Sequence, residues 1–240
     1  MGMKTAIVIP ARLGSTRLLN KPLIEFDGIP MIAHVANTCK KVFAGEDVYV
    51  STPDEEILAT CKSFKINSIK SSANAASGTD RVAEFAAAKD YSRIINVQGD
   101  ELLLTKECLE DFIQKTELRT NCTVGITRIT SEEESNKPSV VKVAKSQDRM
   151  IFASRSPIPN LSYASNKQIF KHTGLYMFTT ESLELFSKSQ PGELEKIERV
   201  EILRLIENRI PVDVVEVFNY FFTIDTEEDV QMARNILEAR

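Results

Sequence analysis

The chain has 240 residues, enough for one large domain with a sizeable core, and its 42% hydrophobic and 27% charged residues are the balance of an ordinary globular protein. A net charge of -4 excludes a sequence-independent grip on nucleic acid, which needs a basic face, but leaves room for a local basic cluster that holds a small polyanion. No apolar run approaches the roughly 20 residues that span a bilayer, and the opening MGMKTAIVIP has neither the apolar region nor the cleavage site of a signal peptide, so the expectation is a cytoplasmic protein without a membrane partner.

In chain order, residues 4–10 read as a buried strand, and Pro30 opens a helical pattern, MIAHVANTCKKVF. DVYVST is a second strand. PDEEILATCKSF is a helix with acidic residues in its first turn, where they suit the dipole. INSIK is a short strand, GTDRVAEFAAAK a helix, and RIINVQGDE a strand running into a turn. This βα alternation predicts an α/β fold: a doubly wound, mostly parallel, Rossmann-like sheet with helices on both faces. Ligands are then expected at the carboxyl ends of the strands.

After about residue 120 the pattern turns β-rich. CTVGITRI, VVKVAKS, MIFASRS and IFKHTGLYMFT are strand-like with no evident crossover helices, so this part is expected to be mixed or antiparallel. ELEKIERVEILRLIEN reads as one amphipathic helix, PVDVVEV as a strand, FFTIDT as a strand-like run and TEEDVQMARNILEAR as a closing helix. The division expected is a nucleotide-binding half over 1–120, a β-rich half over 121–218 and a closing loop and helix over 219–240, all in one domain. The four cysteines are widely spaced with no C-x-x-C pair, the pattern of buried reduced thiols.

Four segments could carry chemistry. The first strand feeds IPARLGSTRLLNKPL, which has neither the spacing of a P-loop nor the three glycines of a dinucleotide fingerprint. Gly14, Ser15 and Thr16 let the backbone curl, so that Arg12, Arg17 and Lys21 can face one anion. A solvated basic loop is the competing reading, and the position directly after the first strand favours a phosphate. NVQGDE then places Asp100 and Glu101 at the sheet's carboxyl edge. An acid facing a triphosphate calls for a cation between them, and Mg²⁺ held by carboxylates and phosphate oxygens is the ordinary solution. The turn geometry of Gly-Asp is an alternative, stronger for Glu101 than for Asp100. Asp225 lies just outside a helix start that Thr226 would cap, and becomes a candidate as a second carboxylate for the same cation. SGTDR, Ser77 to Arg81, opens a helix either as an anion or base-edge site or as a plain N-cap. His172 sits in KHTGLY, where Gly174 permits close approach. No nucleophile elbow is visible, which speaks against acyl chemistry.

Taken in order, IPARLGSTRLLNKPL, GIPMIAHV, ASGTDRVAE, NVQGDE, VVKV with SRSPIP, KHTGLY, LEKIERVEILR and IDTEEDV resemble the sugar nucleotidylyltransferases, in particular the CMP-Kdo synthetase family, over almost the whole chain. The resemblance implies transfer of CMP from CTP to the anomeric hydroxyl of 3-deoxy-manno-octulosonate (Kdo), with release of pyrophosphate, for lipopolysaccharide or capsule biosynthesis. It implies that Arg12, Arg17 and Lys21 bind the triphosphate and stabilise the transition state. Ala11, Ser15, Ser77, Gly78, Thr79, Arg81 and Gln98 would line the nucleotide and sugar side, and His172, Tyr176, Glu195 and Glu198 would contact Kdo. Asp100 and Asp225 would hold Mg²⁺, and two copies would form a homodimer through the β-rich part. The chain departs from the family at Leu19-Asn20 (usually Pro-Gly), Ala75 (His), Leu102 (Pro), Thr179 (Arg) and around Asp225, at Thr223 and Glu227. Several departures fall near the expected sugar, so 8-amino-Kdo or another keto-acid sugar is the alternative acceptor.

Overall fold

The computed structural model describes residues 4–14, 17–162 and 168–239. The chain opens with β1 (Thr5–Pro10), then passes through a basic loop and a 3₁₀ turn (Lys21–Leu23) to a small hairpin, β2 (Glu25–Phe26) and β3 (Ile29–Pro30). Next come α1 (Met31–Val42), β4 (Val48–Thr52), α2 (Glu55–Ser63), β5 (Asn67–Lys70), α3 (Gly78–Ala88), β6 (Arg93–Val97) and α4 (Lys106–Thr116). The second half holds β7 (Cys122–Arg128), α5 (Glu132–Asn136), β8 (Lys142–Ser146), β9 (Arg149–Ser154), β10 (Phe170–Thr179) and α6 (Thr180–Lys188). It closes with α7 (Glu193–Glu198), α8 (Leu203–Glu207), β11 (Val212–Glu216) and α9 (Glu227–Glu238).

One sheet runs through both halves in the order β5-β4-β1-β6-β10-β7-β11-β9-β8. The pairs β5/β4, β4/β1, β1/β6 and β7/β11 are parallel, while β10 is antiparallel to both β6 and β7. The β-rich part is therefore a continuation of the N-terminal sheet, with β10 inserted between β6 and β7. Strand alternation explains the two buried faces. Ala6 and Val8 of β1 point into one core with Val82 and Phe85 of α3 and Phe186 of α6. Ile7 and Ile9 point into the other with Ile32 and Val35 of α1, Ile57 of α2 and Phe112 of α4. Burial on both faces is why β1 reads as the unbroken apolar run AIVI rather than as an alternation.

Two expectations are corrected. The segment read as one helix over ELEKIERVEILRLIEN is two short helices, α7 and α8, separated by Arg199 at φ 53°, in the left-handed region. That conformation costs a non-glycine residue about 1–2 kcal/mol. Tertiary bonds offset it: Glu198 accepts from Ser154 Oγ (2.7 Å) and Arg155 N (2.8 Å), and Glu207 accepts from Leu194 N (2.9 Å) and Glu195 N (3.0 Å). The FFTIDT run forms no strand; Ile224 N donates to Asp100 O (3.2 Å) and Lys171 Nζ of β10 donates to Phe221 O (3.0 Å), and these bonds tie it to the sheet. α6, which follows β10 directly, is not singled out by the sequence pattern. The four cysteines are buried free thiols, and no helix among the described residues is long and apolar enough to cross a membrane.

Candidate active site

The carboxyl ends of β1 and β6 and the segment before α9 meet at one edge of the sheet. Gly99 is required there, because a Cβ on it would lie 2.9 Å from Pro10 O. Ala11 N donates to Ser51 O (3.0 Å) and Leu13 N to Asp54 Oδ2 (2.8 Å), which fastens the start of the basic loop to β4 and the start of α2. A small core of Leu18, Phe26, Met31, Leu102, Leu103, Ile224 and Val230 lies beneath. Leu102 thus fills apolar space beneath the loop. Asn20 takes the left-handed conformation at φ 51°, which asparagine tolerates better than most residues, and Leu23 N closes the turn on Asn20 O at 2.8 Å. Asparagine so performs the turn that glycine would make.

The charges meet above this base. Lys21 Nζ lies 2.6 Å from Asp100 Oδ2 and 3.1 Å from Asp225 Oδ1, and Arg17 Nη2 lies 3.0 Å from the same Asp225 oxygen. Burial alone would lower the Lys21 pKa, but the two carboxylates outweigh it and raise the value above the ordinary lysine range. Asp225 is free to serve here because Thr226, not Asp225, caps α9: Thr226 Oγ1 accepts from Asp229 N (3.2 Å), and Asp229 Oδ2 accepts from Thr226 N (2.8 Å) and Asp225 N (2.9 Å). Arg12 is exposed and lies apart from this pair, toward Arg81. Burial first, then the Arg12 charge, lowers the Arg81 pKa.

At the N-terminus of α3, Ser77 Oγ accepts from Asp80 N (3.1 Å) and donates to Asp80 Oδ2 (2.6 Å), so Ser77 is an N-cap. Arg81 is buried, donates to Ser77 O (2.9 Å) and Ala75 O (3.3 Å), and leaves Nε without a partner. Gly78 N and Thr79 N donate to the two oxygens of Glu201, at 3.1 and 2.9 Å. A Cβ on Gly78 would stand 3.2 Å from Gln98 Oε1 and 3.4 Å from Pro10 Cγ, so Ser77–Arg81, Gln98 and the first loop form one continuous surface.

Gln98 N in turn donates to Gly174 O (2.9 Å), which brings in β10. The register of β10 against β7 shifts between His172 and Tyr176, and their rings meet edge-on with centroids 5.1 Å apart. His172 Nε2 is buried without a partner. Burial, then the Arg155 charge, lowers the His172 pKa to about 4, so the ring is neutral near pH 7.

Glu101 has the structural part. It is 1% exposed, accepts from Gly174 N (2.8 Å) and Tyr220 OH (2.7 Å), and points away from the Lys21 cluster. Burial and the neighbouring Asp100 charge push its pKa up to about 8. The glycine in KHTGLY is explained by this carboxylate, since a Cβ at Gly174 would overlap Glu101 Oε1 at 2.2 Å.

The structure brings Arg17, Lys21, Asp100 and Asp225 into contact; Ala11 lies against Gly99, Ser77, Gly78, Thr79 and Arg81 form the α3 N-terminus against Gln98, and His172 and Tyr176 pair on β10. Ser15 lies outside the described residues. Glu195 and Glu198, expected to contact the sugar, are held by protein partners in this arrangement. Both Glu195 oxygens are held by Arg204 at 2.7 and 2.8 Å, and Glu198 holds Ser154 and Arg155. The carboxylate of this stretch that reaches α3 is Glu201, three positions after Glu198. Nothing in the composition of LEKIERVE separates the three; the break at Arg199 does. Arg155, in SRSPIP, is not singled out by the sequence pattern but lies near the charge cluster. Its guanidinium donates to Glu198 O (2.7 Å), Pro138 O (2.9 Å) and Arg199 O (3.3 Å), beside Arg17 and Asp225.

Comparison with known proteins gives a coherent result. The cytidylyltransferase family profile matches residues 6–214. A protein of Chloroherpeton thalassium named 3-deoxy-manno-octulosonate cytidylyltransferase is 37% identical, over 98% of this chain and 98% of its own. One of Shewanella pealeana named 8-amino-3,8-dideoxy-manno-octulosonate cytidylyltransferase is 33% identical, over 99% and 98%. Among solved structures, CMP:2-keto-3-deoxy-manno-octonic acid synthetase complexed with CTP superposes with a TM-score of 0.90 and 31% identity, covering 98% of this chain and 99% of that one.

Proposed function

Because the chain belongs to the cytidylyltransferase family, we propose that it transfers CMP from CTP to the anomeric hydroxyl of Kdo, forming CMP-Kdo and pyrophosphate. The observation that carries the site assignment is the convergence of Lys21 and Arg17 on Asp100 and Asp225. In this reading the sugar oxygen attacks the α-phosphorus, the bond from that phosphorus to the bridging oxygen breaks, pyrophosphate leaves, and the hydroxyl proton passes to solvent. Such a transfer asks the protein mainly for positioning and charge stabilisation.

Arg12, Arg17 and Lys21 hold the triphosphate, two guanidinium forks and one mobile ammonium answering its three phosphates. Asp100 and Asp225 are two hard oxygen donors within reach of one point, a set that fits Mg²⁺; the ion would neutralise phosphate charge and polarise the attacking hydroxyl. Ala11, Ser77, Arg81 and Gln98 line the nucleotide side. Gly78 and Thr79 shape the sugar side through Glu201, and neutral His172 and Tyr176 form its wall. The same reading has two copies pairing through the β-rich half, where Ile151 of β9 is exposed, and the reaction running in the cytoplasm.

The test is pyrophosphate release from CTP and Mg²⁺ with a panel of acidic sugars. Release with Kdo is expected, and none with any acceptor removes the assignment. A second reading changes only the acceptor, on the strength of the relative named for 8-amino-3,8-dideoxy-manno-octulosonate. Turnover with that amino sugar and not with Kdo would select it.

A further inference from the structure

We propose that Lys21 occupies the cation seat of the nucleotide-free protein, and that its transfer from the two carboxylates to the phosphates of CTP makes divalent-cation binding conditional on the nucleotide. This rests on the reading of Asp100 and Asp225 as cation ligands. In the ligand-free arrangement one ammonium bridges Asp100 Oδ2 and Asp225 Oδ1, at 2.6 and 3.1 Å, with Arg17 on the same Asp225 oxygen at 3.0 Å. A magnesium ion needs oxygen ligands at roughly 2.0–2.1 Å. An ion bound to both of those oxygens would take the space of Nζ, and two cations so close repel. Metal and ammonium therefore exclude one another.

The charges decide when the exchange happens. Without ligands, two carboxylates face Lys21 and Arg17, with the Arg155 charge close by, so the site holds no excess of negative charge. A divalent ion alone leaves an excess of positive charge, because among the described residues Lys21 and Arg17 form ion pairs with Asp100 and Asp225 and with no other carboxylate. A triphosphate supplies another anion. The exchange is mechanically easy: the Lys21 backbone is fixed by the turn on Asn20 and by buried Pro22, while its stem carries the ammonium on rotatable bonds. Arg17, with 53% of its side chain exposed, can follow. Linkage then requires that the cation strengthen nucleotide binding by the same factor as the nucleotide strengthens cation binding.

The experiment is direct binding of Mn²⁺ to the nucleotide-free protein, read by electron paramagnetic resonance. Lys21→Met is expected to bind Mn²⁺ at least tenfold tighter than the wild type, and Lys21→Arg, which keeps a cation in the seat, no tighter than the wild type. Equal or weaker binding by Lys21→Met overturns the proposal. So does a gain that survives when Asp100→Asn is added, since the ion would then sit elsewhere. Lys21→Gln replaces Lys21→Met if circular dichroism shows the latter misfolded. Wild-type turnover is read separately. No pyrophosphate release would remove the functional assignment, whereas an active wild type with unchanged Mn²⁺ affinity in Lys21→Met would remove only the role given to Lys21.

Discussion

Lys21 and Arg204 each sit between two carboxylates, but they are set in opposite surroundings. Arg204 is 3% exposed, forks onto Glu195 at 2.7 and 2.8 Å and onto Asp80 at 2.8 and 3.3 Å, and lies 4.0 Å from the centre of the Phe186 ring. Lys21 offers one nitrogen to carboxylates that stay 27% and 17% exposed. The first is a joint that ties α3, α7 and α8 together and so holds Glu201 against the N-terminus of α3. The second is open on one side and can exchange its partners. The same two charge types make a fixed joint where the fork is buried and, in the proposed reading, a reactive cluster where a point charge meets water.

Removing the buried cation should have the largest effect. Arg204→Ala strands Asp80 and Glu195 without their partner and is expected to destabilise the protein by about 3–5 kcal/mol in urea unfolding. Stability within 1 kcal/mol of wild type would erase the distinction between the clusters. In the open cluster the ordering of effects reverses. Asp100→Asn should lower turnover about a thousandfold, ~4 kcal/mol, while CTP binding persists and the melting temperature barely moves. Full activity in that variant would remove Asp100 from the site.

The contrast also explains what the sequence made legible. That the basic loop, Asp100 and Asp225 lie near one another was legible because each stands at a strand's carboxyl end or just before a helix start, where local rules place side chains. The cap on Thr226 and the free side chain of Asp225 follow from the same local logic. Glu195, Glu198 and Glu201 could not be sorted that way. Their directions depend on Arg199 turning left-handed, and that turn is enforced by bonds to Ser154 and Arg155 from a distant part of the chain. The position of β10 was hidden for a related reason. IFKHTGLYMFT reads as a strand, but pairing with β6 and β7 is decided by contacts far apart in sequence.

Gly174→Ala tests the boundary between the two kinds of site. The added methyl would meet Glu101 Oε1 at 2.2 Å, and Glu101 is both buried and adjacent to Asp100. Overpacking of this sort is expected to cost about 1–3 kcal/mol in urea unfolding. A drop in turnover with little change in stability would mean instead that Glu101 moves and carries Asp100 with it.

The smallest effect expected is at His172, where pH replaces mutation as the lever. Its pKa is about 4 in the folded protein, lowered by burial and then by Arg155, against about 6.5 in an unfolded chain. Above pH 6.5 neither state holds the proton and the stabilising contribution is complete. Between 6.5 and 4 the unfolded chain takes a proton that the folded ring refuses, so stability falls with pH; below 4 the loss stops growing. His172→Gln removes the titration, and its melting temperature should fall less steeply than the wild type's across that window. The ring is half-buried, so the difference should be on the order of 1 kcal/mol. Parallel curves would place water or a polar partner on Nε2 and take away the neutral, unpartnered nitrogen that the sugar wall is proposed to offer.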